Sequence, residues 1–281
     1  MIDLLAIPVL LSCTDLTWEA KMRTEIAILP QGVDVVIQDI DYILANWAYK
    51  PGMAQARMIQ TRDGRQVIQL RVDLGVLQLE TTGRPDGARP HGHETYFDYV
   101  QEQARLSRKA GQTFVLSEEQ CQDADREFLQ FYHRRMCWLA LRQYARAIRD
   151  ADHTLAFMDF IKRHSPSDEY MHAHEQYRGF VLFQRTQAAA ALEVENGDPE
   201  QALSAIHAGL ERIREFYASY DREEEMEDDG MVRHLRHIEA TLREQHQIGA
   251  TLEEQLQQAI ADEDYERAAR LRDQMKLKKS M

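Results

Sequence analysis

Two stretches of this chain place a pair of histidines beside a glutamate: His91, His93 and Glu94 in one, and His172, His174 and Glu175 in the other. Imidazole and carboxylate are the usual ligands of a hydrolytic zinc ion, so the repeated HxHE pattern is the natural starting point for any catalytic reading. Its spacing argues against a site within either segment. On a helix, residues 172 and 174 point about 200° apart and cannot face one ion, whereas the i, i+4 spacing of an HExxH motif can. A metal-dependent hydrolase therefore requires a composite site with one residue from each segment. The other outcome is that these are surface and capping histidines.

Further chemistry is sparse. Gly83, Arg84, Arg89 and His91 lie in a glycine-rich loop where fork-shaped donors could hold an anion, but no helix N-terminus or phosphate fingerprint frames them, so a plain connector is expected. Neither a GxSxG elbow nor a dinucleotide fingerprint occurs. Arg135, Arg142, Arg146 and Arg149 recur at helical spacing as a basic stripe. With a formal net charge of −13, ion pairing to the protein's own carboxylates is the expected use of that stripe rather than direct contact with nucleic acid. Cys13, Cys121 and Cys137 form no CxxC pair and fit neither a disulfide framework nor a thiolate zinc site, which points to a reducing, cytoplasmic setting. No catalytic residue and no cofactor is assigned.

The elements that would position these residues follow from periodicity. Leu4 to Leu11 is a short apolar run without the positive flank of an export signal, and no stretch is long enough to span a membrane. Val33 to Tyr49 has helical spacing and stops at Pro51-Gly52. Residues 54–72 alternate with period two around Asp63-Gly64, which predicts a β-hairpin with a two-residue turn and a third strand beyond. Along the third strand the apolar parity slips at Asp73-Leu74-Gly75, which reads as a bulge. Three glycines and two prolines over residues 81–94 exclude regular structure there and place a boundary.

From Tyr96 to Tyr220 the pattern is helical, with breaks at Gly111, at residues 164–167 and at residues 196–199. The helices starting near 143 and 198 begin alike and resemble the second helix of a tetratricopeptide-type hairpin. Their 55-residue separation fits helical hairpins and not a 34-residue array. The acidic stretch 221–229 reads as a solvated linker, and Val232, Leu235, Ile238 and Leu242 form a stripe of a following helix. The expected organisation is a tail over 1–30, a small α+β subdomain over 31–94, a helical domain over 95–220, a connecting region over 221–250 and a closing hairpin over 251–279. The fold class is mainly α with a small α+β N-terminal part.

In the closing segment Leu252, Leu256, Ala259 and Ile260 line one helical face, and Tyr265, Ala268, Ala269, Arg272 and Met275 line another. The acids 262–264 between them suit the start of a second helix. The segment resembles the UVR motif, the helical hairpin found at the end of UvrB and within UvrC, through Leu252, Ala259, Asp264, Tyr265, Glu266, Ala268, Ala269, Leu271, Arg272 and Asp273. That resemblance implies a protein-docking device, also used by adaptors of Clp protease systems. The candidate partner-binding set is Leu252, Leu256, Ala259, Ile260, Tyr265, Ala268, Ala269, Leu271, Arg272 and Met275.

The helicase loop of UvrB, the nuclease features of UvrC and the zinc-binding cysteine pairs of Clp-linked adaptors are not recognisable. The expectation is a non-catalytic adaptor that docks a Uvr-type or Clp-type protein or a second copy of itself, with an accessory role in nucleotide excision repair as the alternative. A hairpin shorter than roughly 40 residues needs something to pack on, so it either caps its own body or meets a partner.

Overall fold

The computed structural model describes residues 39–279. The N-terminal run, Cys13 and the first part of the expected helix over Val33 to Tyr49 lie outside the described residues. What is described of that helix is α1, Asp41–Asn46, followed by three antiparallel strands in sequence order: β1 Gln55–Gln60, β2 Gln66–Val72 and β3 Gly75–Glu80.

The first turn is one residue longer than the Asp63-Gly64 pair predicts. The Thr61 amide donates to the Arg65 carbonyl at 2.8 Å, which leaves residues 62–64 as the turn; the Gly64 amide donates to the Thr61 carbonyl, and Gly64 takes φ +87° to return the chain. This is a tight turn closed by a left-handed glycine, the common longer alternative to the two-residue loop. The slip at Asp73-Leu74-Gly75 is not a bulge either. Val72 pairs with Gly75, so Asp73 and Leu74 form a second hairpin turn. Leu70 then faces Leu77 and Ile68 faces Leu79. Opposed residues share a face, and an odd-numbered partner for an even-numbered residue shifts the parity with no extra residue in either strand.

One face of the sheet rests on helices. Ile68, Leu70 and Leu79 share a core with Cys137, Trp138, Tyr144, Ala147, Ala188 and Ala191. Those residues belong to α3 Glu118–Ala140, α4 Tyr144–His164 and α6 Arg178–Glu195. The loop 81–94 holds only a 3-10 turn at Pro90–Gly92, and it is stapled to the helical layer. Arg134 forks onto Asp150 at 2.8 and 2.9 Å while its other nitrogen donates to the Glu80 and Gly83 carbonyls. The sheet and the helices are thus joined through a common core and a buried ion pair.

The helical layer consists of α2 Tyr96–Lys109, the α3/α4 hairpin, the short α5 Asp168–Glu175, and α6 followed by α7 Pro199–Ala218. The breaks fall where expected, with two more at residues 141–143 and 176–177. Thr95 and Ser117 form capping boxes at the starts of α2 and α3, and Asp198 caps α7 with proline in its first turn. A Cβ built on Gly209 of α7 would lie 2.0 Å from Thr186 Oγ1 of α6, so these helices cross at a separation that only glycine allows.

The stripe Val232, Leu235, Ile238 and Leu242 belongs to α8 Gly230–His246 and packs against Leu203, Ile206, Leu210 and Ile213 of α7. The acidic stretch folds as a 3-10 segment, Glu223–Asp228, whose one apolar residue, Met226, is buried in the body's core. Asp229 caps α8 and accepts from the Tyr217 hydroxyl at 2.7 Å. No helix among the described residues is long and apolar enough to cross a membrane.

Candidate docking hairpin and its junction with the body

The chain closes on α9 Leu252–Ala261 and α10 Tyr265–Lys279, packed on each other as a hairpin. Its local signals are strong. Thr251 accepts from the Glu254 amide at 3.2 Å and donates its own amide to Glu254 Oε2 at 2.7 Å, a complete capping box. Asp264 accepts from the Arg267 amide at 3.0 Å at the start of α10. Between the helices Glu263 takes φ 56° and the Asp264 amide donates to the Ala259 carbonyl at 2.8 Å, which satisfies a carbonyl at the end of α9.

The seam is made of Ala259, Ala268 and Leu271, exposed by 0%, 8% and 7%, with Leu252 and Leu256 packed over them. Small residues at 259 and 268 let the helices approach. Ala269 and Met275 are half-buried. Three of the ten candidates lie elsewhere: Ile260 is 53% exposed and Tyr265 69% exposed, and the Arg272 side chain is likewise exposed beside Asp273. Ile260 follows Ala259 by one residue, about 100° around the helix, and so turns away from the seam. The apolar cluster contains, among the described residues, only residues of the hairpin itself.

Hydrogen bonds and ion pairs link the hairpin to the body. Arg243 near the end of α8 donates to the Gly249 carbonyl at 2.8 Å, to Glu239 Oε1 at 3.2 Å and to Glu254 of α9. His207 of α7 lies 2.8 Å from the same Glu239 oxygen and 3.8 Å from Glu254 Oε1. An open cleft at this junction is lined by Arg243, Ala250, Glu254, Gln255, Gln258 and Arg267.

His207, Glu239 and Glu254 form a compact donor set, with ligand atoms within 4.8 Å of one another. The Arg243 guanidinium bonds the same carboxylate oxygens, so the negative charge is already balanced and the arrangement is a completed ion-pair network. The hydrogen bond from His207 holds the Glu239 carboxyl down at about 2, and the same bond raises the His207 imidazole above its ordinary value.

The HxHE segments do not assemble a common site. His91 stacks on Tyr99 with ring centroids 3.9 Å apart, and His93 lies against the same ring. His172 Nδ1 is 2.7 Å from the Asp168 carbonyl, and the buried His174 lies 2.9 Å from Asp125 Oδ1. Glu175 is held by the Arg178 fork and the Tyr220 hydroxyl. None of the four histidines belongs to a group of three ligands among the described residues.

In the glycine-rich loop, the buried Arg84 Nε lies 3.5 Å from carboxylates of Asp86 and Glu127, although its Nε and Nη2 make no hydrogen bond, and Arg89 faces Glu94 at 3.7 Å. The basic stripe is also broken up. The turn at 141–143 separates Arg135 from Arg146 and Arg149, Arg135 is buried against Thr154 and Gln184, and Arg146 covers the Trp138 ring at 4.7 Å. Burial pushes the Cys121 and Cys137 thiols up to about 11 and about 12.

Sequence reasoning missed Glu127. Its carboxylate is fully buried and accepts the Tyr96 and Phe97 amides at 2.6 and 3.0 Å, capping α2 from 30 residues away, with His153 at 3.2 Å. No local signal announces a cap supplied by another helix.

Residues 250–280 match the family model described as the UvrB/uvrC motif. No curated protein and no solved structure matches the chain. The match covers the hairpin and stops at the junction with the body. It places the chain broadly with protein–protein interaction and DNA-repair-related processes.

Proposed function

We propose that this protein is a non-catalytic adaptor that docks a partner protein through the hairpin 251–279. The observation that carries this reading is the division of labour within the hairpin. Its apolar seam closes on itself, while Ile260 and Tyr265 stand exposed near the turn and add nothing to that seam. A hairpin serving as a cap would bury its apolar face on the body; here the seam shares no described residue with the body's clusters, and Arg243 bridges the junction through polar contacts. Large exposed apolar and aromatic side chains on a rigid small element are the usual anchors of a docking surface.

The partner is a Uvr-type or Clp-type protein, or a second copy of this chain, and the setting is cytoplasmic. The motif's description supports the second reading, in which the protein assists nucleotide excision repair and reaches DNA only through UvrB or UvrC. Replacing Tyr265 and Ile260 together by serine tests the proposal, because neither side chain supports the fold. Titration of purified UvrB, of a Clp chaperone and of unlabelled chain against the labelled protein should show binding to one of them that the double variant loses. Unchanged binding in the double variant, or no binding by the intact chain to any of the three, contradicts it.

A further inference from the structure

We propose that Arg243 is an electrostatic clamp that fixes the hairpin in one orientation on the body, and that breaking its ion pairs frees the hairpin to swing about residues 247–250. This goes beyond the docking proposal, since it concerns the isolated chain and needs no partner.

The joint is built to bend. After α8 the chain enters a left-handed turn at Gln247, φ 52°, and Ile248 returns to the body's core. Gly249 follows, where an added Cβ would meet nothing within 4 Å. Two residues later Thr251 caps α9 and the hairpin becomes a self-contained unit. Between Ile248 and that cap, the contacts that fix direction run through Arg243. One of its nitrogens donates to the Gly249 carbonyl at 2.8 Å, and the other bridges Glu239 of α8 and Glu254 of α9. A single side chain thereby joins the last body helix, the joint and the first hairpin helix.

The charges around it are tuned for partial release. His207 lies beside both carboxylates and Arg236 stands 3.6 Å from the second oxygen of Glu239. Glu239 thus keeps cationic neighbours on α7 and α8 when Arg243 lets go, whereas Glu254 is tied to the body through Arg243 and, more distantly, His207. The network borders an open cleft and the His207, Glu239, Arg243 and Glu254 side chains are 15–29% exposed, so dissolved ions reach it. Pairs of this kind weaken as salt shortens the Debye length from about 30 Å at 0.01 M to about 3 Å at 1 M. A seam of apolar residues would not respond that way.

The test is a distance measurement across the junction in the full-length chain. Spin labels at Arg212→Cys on α7 and Gln257→Cys on α9, in a Cys13→Ser background with the two buried cysteines retained, report the orientation by double electron–electron resonance. The expected result is a single narrow distribution at low salt that broadens at high salt. In Arg243→Ala the distribution is broad at both salts, while circular dichroism shows the helices retained. Should Arg243→Ala unfold the body, Glu254→Gln decides, since it removes the hairpin's half of the pair and leaves α8 untouched. A distribution that stays narrow in a folded variant, or that is already broad in the parent at low salt, overturns the clamp. Neither result bears on whether a partner binds Tyr265.

Discussion

Ala259 of α9 and Ala268 of α10 close the seam of the terminal hairpin, both almost wholly buried, with Leu271 beside them. Ala268→Glu would force a carboxylate into that seam. Burying it unpaired costs several kcal/mol, more than so small an element can spare. The two helices should come apart while the body, whose clusters contain no hairpin residue, stays folded. Hydrogen exchange should therefore report full loss of protection over residues 252–275 and unchanged protection in α3, α4, α6 and α7. Loss of protection in the body would show that the hairpin is a structural cap.

Gly209 gives a prediction inside the body. An added methyl would sit 2.0 Å from Thr186 Oγ1 and 2.6 Å from its Cβ, closer than real contacts permit. Gly209→Ala should lower stability by about 1–3 kcal/mol, the usual cost of overpacking, despite alanine's better helix propensity. Pairing it with Thr186→Gly should recover part of the loss in a thermal melt. A Gly209→Ala variant as stable as the parent would mean that α6 and α7 do not cross so closely.

These two cases mark what the chain discloses locally. The α8 stripe and the acids before α10 depend on neighbours within a few residues, and each forms where spacing predicts it; the Thr251 capping box is equally local, though it is not among the expectations from sequence. The parity slip at Asp73-Leu74 is equally visible, but a bulge and a second hairpin leave the same local mark, and only the pairing of Val72 with Gly75 separates them. Glu127 capping α2, Arg134 stapling the loop and Gly209 meeting Thr186 depend on helices brought together from afar, so no window of sequence contains them. Tyr265 shows the reverse error. Helical spacing places it on the face of Ala268 and Ala269, yet as the first residue of α10 it lies at the end of the seam and is 69% exposed.

Acidity should act on the junction in both directions. Glu239 is held down at about 2 against an ordinary value of 4.5, so its pairing with His207 contributes in full above 4.5 and is lost as pH falls toward 2. His207 is raised above its ordinary 6.5, so its contribution is full below 6.5 and is lost as pH rises through the raised value. The pair should therefore stabilise most between pH 4.5 and 6.5. The difference in unfolding free energy between the parent and His207→Ala, measured against pH, should peak in that window. A flat difference would show that the pair carries no linkage.

Surface anchors should separate binding from folding. Tyr265→Ser should change stability by no more than about 0.5 kcal/mol, as for exposed positions elsewhere. In a complex, losing such an aromatic anchor costs about 2 kcal/mol or more. Calorimetry of folding and of binding on the same variant checks both halves, and a large fall in melting temperature would place Tyr265 in the fold instead.

The most direct measurement compares what co-purifies with the full-length chain and with a chain ending at Gly249, identified by mass spectrometry. The hairpin begins after that residue, and the body's clusters are complete without it, so the short form should fold. A protein partner recovered by the full chain and absent from the folded short form is the result predicted here. The same partner retained equally by both forms would contradict the docking role of the hairpin.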